Sequence, residues 1–132
     1  MSRSDYGDDY CDDWNSIMYR GWVTKALRGR RGQAFLKELV AALDAMPVKE
    51  LVAEKLVDGE NVCAIGAVCK ARGLDVSDVN PENYNEVARR VGLAPSMVRE
   101  IVYCNDEAFV NAGPAARWLA MHKWAKENIR EI

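Results

Sequence analysis

The residues of this chain that could carry out covalent catalysis are its cysteines, its single histidine and one amide–carboxylate pair. A cysteine hydrolase would need Cys63 or Cys104 as the nucleophile and His122 as the base. Asn105 or Asp106 would have to orient the imidazole. No local motif surrounds His122, which shares a helical face with tryptophan and methionine. We therefore expect a protein that is not an enzyme, in which Cys63 and Cys69 act as small buried apolar residues. Asn105-Asp106 is expected to cap a helix end, with a binding role as the alternative.

Metal and phosphate chemistry also lack a recognisable motif. The chain has no Cys-x-x-Cys pair, and its one histidine is far in sequence from every cysteine, so we expect no metal site. The segment Gly29-Arg30-Arg31-Gly32 has neither the lysine nor the preceding strand of a phosphate-binding loop. Carboxylates are plentiful, but their spacing singles out no catalytic pair. We accordingly predict no cofactor.

The first thirteen residues combine dense negative charge with aromatic side chains, and we treat residues 1–13 as an acidic, flexible segment before a helical domain at 14–132. Asp residues can steer association, and Tyr and Trp often anchor interfaces. The residues predicted to bind a partner are Asp8, Asp9, Asp12, Asp13, Tyr6, Tyr10 and Trp14. The alternative is a solvated terminus with no specific contact.

A basic stretch follows the acidic segment. Its cations are Arg20, Lys25, Arg28, Arg30, Arg31 and Lys37. The formal net charge of the whole chain is −2, which counts against a dedicated nucleic-acid-binding protein, since such proteins are usually basic. We expect a solvated basic face. The alternative is a surface for nucleic acid or an acidic partner, formed together with Trp22 and Phe35.

Residues 86–101 read as two short helices joined by a tight turn at Gly92, with small Ala88 allowing a close approach. This segment resembles the helix-turn-helix of LacI-type and Cro-like regulators. The resemblance implies that the second helix would enter the major groove of duplex DNA through its first residues. The DNA-binding residues so implied are Arg89, Arg90, Ser96, Met97 and Arg99. The alternative is a helical hairpin that only packs.

Apolar residues recur at helical spacing along most of the chain, and no strand alternation stands out. The expected helices cover about 13–28, 33–46, 47–56, 62–72, 81–91 and 95–104, with a last one starting at Gly113-Pro114. Connections between them are short. We therefore predict an all-α fold, a single compact domain of about six or seven short helices containing a helix-turn-helix-like pair.

A second resemblance covers most of the chain. The run Cys63-Ala64-Ile65-Gly66-Ala67, followed later by Asn105-Asp106 after an apolar helix, resembles a group of small uncharacterised prophage and bacterial proteins. The resemblance implies a phage setting, in which small proteins often bind host complexes, as anti-CRISPR proteins do. We therefore expect a non-enzymatic, phage-derived protein that binds a host protein or ribonucleoprotein complex and inhibits host defence. The alternatives are a helix-turn-helix transcriptional regulator and an oligomeric virion component.

The location expected from the sequence is the cytoplasm of a bacterial host. No apolar run approaches the ~20 residues that span a bilayer, and the acidic N-terminus has no signal-peptide pattern. The cysteine usage fits a reducing compartment. We therefore expect no membrane partner, while a homo-oligomer remains open.

Overall fold

Helices account for most of the structure, a computed structural model that describes residues 10–108 and 113–130, with side chains from residue 18 to 106 and from 113 onward. The elements are α1 (Tyr10–Arg28), α2 (Arg30–Ala45), β1 (Val57–Asp58), β2 (Asn61–Val62), α3 (Ala64–Arg72), α4 (Tyr84–Val91), α5 (Pro95–Tyr103), a π-helical turn (Cys104–Ala108) and α6 (Pro114–Asn128). The prediction of an all-α fold is confirmed.

The core lies around α2 and α3. Phe35, Leu36, Leu39 and Leu43 are buried on one face of α2, as their i, i+3, i+4 spacing predicts. Helix α2 packs against α1, α3 and α6, while α5 packs against α1, α3 and α4. Residues 64–69 of α3 are all buried, because this helix has neighbours on both sides.

The predicted third helix at 47–56 is wrong. Two backbone groups of this segment bond to distant parts of the chain: the Leu51 N–H donates to Pro114 O at 3.1 Å, and the Val52 N–H donates to Val62 O at 2.9 Å. These bonds take the place of an i to i−4 ladder, and the segment is irregular, with bends, and leads into a short antiparallel β1–β2 hairpin. Gly59 and Glu60 form the turn of this hairpin, and the expectation of no strands fails here.

Helix α3 begins two residues later than predicted, and its N-cap is Cys63. Asn61 lies in β2, whereas the Cys63 side chain accepts a hydrogen bond from the Gly66 N–H. Gly66 itself packs against the preceding segment, because a Cβ atom there would lie 1.9 Å from Leu56 O. The start of α3 is therefore defined by tertiary packing that local sequence signals do not contain.

The α4–α5 pair has the predicted helix-turn-helix outline. Asn83 caps α4 through a bond from the Glu86 N–H, and Gly92 ends it with a left-handed φ of 79°. Pro95 is the first residue of α5. The expected last helix is confirmed as α6, whereas α1 begins at Tyr10 and α2 at Arg30, each three residues earlier than predicted.

Candidate functional site

A tight corner between α1 and α2 organises the most distinctive surface of the molecule. Only Gly29 separates the two helices, and its N–H still donates to Lys25 O at 3.0 Å. Three residues later, Gly32 lies against α1 so closely that a Cβ atom would be 1.9 Å from Ala26 O. Any side chain at position 32 would therefore push the helices apart and change this corner.

The corner faces the start of α5 across a groove of about 510 Å³. One wall carries Trp22, Lys25, Gly29, Arg30, Arg31 and Gly32, and the other carries Leu93, Ala94, Ser96 and Met97. We call this feature the basic groove. Met97, Leu93 and Gly32 are buried and form its apolar floor, while the charged side chains stand at its rim.

The rim of the basic groove carries three cations that have no ion-pair partner among the residues the structure describes. Lys25, Arg30 and Arg31 are exposed, and within residues 10–108 and 113–130 none of them forms an ion pair. No acidic residue occurs between Asp13 and Glu38. The groove therefore presents a local positive field although the chain as a whole is slightly acidic.

Two helices begin at the basic groove, and neither start is neutralised by its own side chains. Helix α2 has Gly29 at its N-cap with no side-chain cap and no acidic residue in its first turn. Helix α5 has Ala94 at its N-cap with the same two properties. Helix N-termini carry partial positive charge, so arginines in the first turn are unfavourable for folding. Arg30 and Arg31 thus add to the positive field at a cost in stability.

Trp22 adds an aromatic surface beside these cations. Its side chain is 58% exposed, and it precedes Lys25 by three residues on α1, so the two share one helical face. Val23 and not Trp22 is buried against the rest of the fold at this end of α1. The indole is therefore available to a partner.

The structure places the five residues implied by the helix-turn-helix resemblance in different surroundings. Met97 has 0% exposure and belongs to the core. The Arg99 guanidinium lies 4.8 Å from the centre of the Tyr19 ring on α1. Arg89 and Arg90 both bond to Glu86, at 2.6 and 2.9 Å. Ser96 lines the basic groove, so α5 takes part in the surface through its first turn.

Helix α1 also holds the middle of α5. The Tyr19 hydroxyl donates to Glu100 Oε1 at 3.3 Å, next to Arg99. Burial and the neighbouring Glu100 carboxylate raise the pKa of Tyr19 to about 12. Tyr19 therefore contacts Arg99 and Glu100, two side chains in the middle of α5, the helix that would enter a DNA groove.

The predicted acidic interface is not covered by the description of the structure. Asp8, Asp9 and Tyr6 lie outside the described residues. The structure describes only the backbone, as part of α1, for Tyr10, Asp12, Asp13 and Trp14. Their side chains lie outside the described part. The acidic segment therefore stays a prediction from the sequence.

The residues of the hypothetical cysteine hydrolase have other roles. Burial raises the pKa of the Cys63 thiol to about 12, so this sulfur is a weak nucleophile. Burial and Glu100 raise the pKa of Cys104 to about 12 as well. His122 Nε2 lies 2.8 Å from Asp44 Oδ1, and its ring stacks on Trp118. Among these described contacts, the imidazole has a carboxylate and an indole as neighbours and no thiol.

Asn105 has a structural role that the sequence indicated only as a local helix cap. Its Oδ1 accepts the Ala64 N–H at 3.1 Å, and its Nδ2 donates to Val52 O at 2.9 Å. The side chain is 1% exposed. It therefore caps α3 from 41 residues away in sequence and holds the 46–56 segment in place.

Sequence reasoning included the cations of the basic groove but did not assemble them. A continuous helix does not align Lys25, Arg30 and Arg31, whereas the corner at Gly29 brings them to one rim. The signal for this corner was present as two glycines three residues apart, Gly29 and Gly32. Ser96 was indicated only through the helix-turn-helix resemblance, and its position beside the α1–α2 corner, like that of Ala94, came from tertiary packing.

Neither the described residues nor known proteins offer a further indication of function. In the described ranges, no group of three or more His, Cys, Asp or Glu side chains could hold a metal ion. No helix of that part of the chain is long and apolar enough to cross a bilayer. No protein-family model matches this chain, and no curated protein or solved structure is significantly similar to it.

Proposed function

We propose that this protein works by binding and that the basic groove accepts the sugar-phosphate backbone of a nucleic acid. The observation that carries the proposal is the set of three exposed cations, Lys25, Arg30 and Arg31, with no ion pair in the described residues. Cations kept at one rim without counter-charges leave their electrostatic interaction available for phosphates, which supply most of the affinity of nucleic-acid-binding proteins.

The groups at the basic groove match those that usually contact phosphates. Phosphate oxygens are bound by Arg and Lys side chains, by backbone N–H groups and by helix N-termini. The start of α2 supplies arginines at a helix N-terminus with no side-chain cap, and the start of α5 supplies the Ser96 hydroxyl and a second such N-terminus. A charge distribution that disfavours the helix itself is best explained by a bound anion.

The proposal that the protein is not an enzyme rests on its most nucleophilic candidates. Cys63 is buried and its sulfur already accepts the Gly66 N–H at 3.4 Å. The imidazole of His122 is held by Asp44 and Trp118. Neither group lines the basic groove, so neither could act on a ligand bound there.

Duplex reading by α5 is the less favoured form of nucleic-acid binding. It would need Arg99 and neighbouring side chains to reach base edges, whereas Tyr19 contacts both Arg99 and Glu100. In addition, Arg89 and Arg90 share the carboxylate of Glu86. The phage setting and the inhibition of a host defence complex remain a further proposal, which rests on the acidic segment and the resemblance of the sequence.

A salt-dependent binding titration tests the proposed function. We would measure the anisotropy of labelled oligonucleotides with the wild type and with the triple variant Lys25→Gln, Arg30→Gln, Arg31→Gln. The triple variant should bind about tenfold more weakly or worse, and its slope of log affinity against log salt should be lower by about 2, since each lost phosphate contact removes roughly 0.7 to 0.9. It should fold normally, because it removes cations from a helix start.

The matched control removes the same charge elsewhere. Lys55, Lys123 and Lys126 are exposed and do not line the basic groove, so their replacement by Gln should leave most of the affinity unchanged. Equal binding by the wild type and the groove variant, or equal losses in the two variants, would reject the groove as the binding surface.

A further inference from the structure

We infer that the nucleic acid bound in the basic groove is single-stranded and stacks one base on the indole of Trp22. This inference rests on the proposed function and specifies its ligand. It follows from three features of the groove: its concave shape, its exposed aromatic side chain beside a cation, and its apolar floor. Each of these features favours the binding of an unpaired strand over the binding of a duplex.

The shape of the groove is the first feature. A protein that reads duplex DNA usually inserts a helix into the major groove, about 12 Å wide, so the binding element must project from the surface. Here the cations stand along one side of a depression between the α1–α2 corner and the start of α5, and Tyr19 contacts the middle of α5. An unpaired strand can bend into such a depression, whereas a stiff duplex bridges it.

The position of Trp22 is the second feature. A single exposed apolar side chain is ordinary on a protein surface, so its exposure alone means little. Its neighbours give it significance, because Trp22 and Lys25 line the same groove one helical turn apart. A base stacked on the indole would place its own phosphate within reach of the Lys25 ammonium. Combining aromatic platforms with a cationic groove is the general way in which proteins hold single strands.

The floor of the groove is the third feature. Leu93 and Met97 are buried there, 5% and 0% exposed, and Ser96 supplies the only side-chain hydroxyl among the lining residues. The Leu93 and Met97 side chains leave almost no surface for a base to pack on, and few polar groups line the groove to read the edges of a base pair. We therefore expect little sequence preference, as is usual for stacking-based recognition.

The test compares strand type and the side chain at position 22. We would titrate the full chain with a labelled mixed-sequence single strand of about 12 nucleotides, as DNA and as RNA, and with the duplex of the same sequence. The single strands should bind at least roughly tenfold more tightly than the duplex. Trp22→Leu should weaken single-strand binding by about tenfold, and Trp22→Phe should keep most of it, because a phenyl ring still stacks.

Two controls make the result interpretable. Leu119 is an exposed apolar residue on α6, 64% exposed, and Leu119→Ser should leave binding unchanged. Circular dichroism should show that Trp22→Leu folds, since the indole is mostly exposed. If the duplex binds as well as the single strand, or if Trp22→Leu binds like the wild type, the inference is overturned. In that case the Lys25, Arg30 and Arg31 variant still decides the proposed function separately.

Discussion

At the residue scale, Asn105 joins three parts of the chain through one buried amide. It accepts a backbone N–H from α3 and donates to the backbone of the 46–56 segment. Buried polar groups are stabilising when all of them are paired and costly when one partner is removed. The segment around Leu51 and Leu56, both buried, depends on this pairing because it has no helix of its own.

We predict that Asn105→Ala lowers the free energy of unfolding by about 2–3 kcal/mol, because it leaves the Ala64 N–H and the Val52 carbonyl without partners. Urea denaturation followed by circular dichroism measures this change. Asn61→Ala is the matched control, since Asn61 is exposed in β2 and should change stability by less than about 0.5 kcal/mol. Similar losses for the two variants would show that Asn105 is not the cap.

We predict that the free energy of unfolding falls in alkaline solution, because burial raises the pKa of the Cys63 thiol. The pKa of Cys63 rises from 9.0 to about 12 on folding because burial disfavours the thiolate. Below pH 9 both the folded and the unfolded chain keep this proton. Between about pH 9 and 12 the unfolded chain releases it and the folded chain does not, so stability falls as the pH rises.

The variant Cys63→Ser tests this origin of the pH dependence. Serine can still accept the Gly66 N–H as a cap but does not titrate in this range. We expect the wild type to lose about 1–2 kcal/mol more than Cys63→Ser between roughly pH 8 and 10.5, measured by urea denaturation at each pH. Parallel pH profiles for the two proteins would exclude a contribution from Cys63.

At the element scale, the α1–α2 corner depends on Gly32. Because Gly32 has no side chain, α2 can approach the Ala26 carbonyl of α1 closely. This approach brings Lys25 and Arg31 to the rim of the same groove. Glycine inside a helix normally costs stability relative to alanine. At this position the close contact between the two helix backbones reverses that preference.

We predict that Gly32→Ala lowers the free energy of unfolding by about 2–3 kcal/mol, because the added methyl group has to displace backbone. Gly21→Ala, in the middle of α1 with no atom within 4 Å of the added Cβ, should instead raise stability by about 0.5–1 kcal/mol. Thermal and urea denaturation of the pair measure both effects. A neutral or stabilising Gly32→Ala would mean that the corner is not tightly packed.

Local sequence signals are sufficient to predict some of the helices but not the irregular segment between α2 and β1. Apolar residues at helical spacing, together with Gly and Pro near helix ends, predicted α2, the α4–α5 pair and α6, with errors of up to three residues at their ends. The 47–56 segment was predicted as a helix because Pro47 can start one and because Val52 and Leu56 have helical spacing. Its backbone partners, Pro114 and Val62, are remote in sequence, and no local pattern could reveal them.

The candidate site was less predictable than the fold for the same reason. Residue types indicated a basic stretch with Trp22 near it, and they also gave prominence to residues 86–101. The role of Ser96 at a groove, and the burial of Met97, depend on how α5 packs against α1 and α3. The spacing of apolar residues indicates which side chains two paired helices bury between them. It does not indicate which further helix packs against the pair.

At the scale of the whole molecule, separation of charge matters more than net charge. The formal net charge of −2 argues against nucleic-acid binding only if charge is spread evenly. In this chain, five aspartates precede residue 14, and the next acidic residue is Glu38. The cations between them therefore create a local field at the basic groove, as an electrostatic binding site requires.

Chemical-shift mapping of the isotope-labelled protein during titration with a single-stranded oligonucleotide tests the central claim most directly. The proposed account predicts that the largest shifts occur at the Trp22 indole N–H and at the backbone amides of Lys25, Gly29, Arg31 and Ser96, and that they decrease as salt is added. Shifts confined to α6 and the β1–β2 hairpin, or no shifts at low salt, would contradict it.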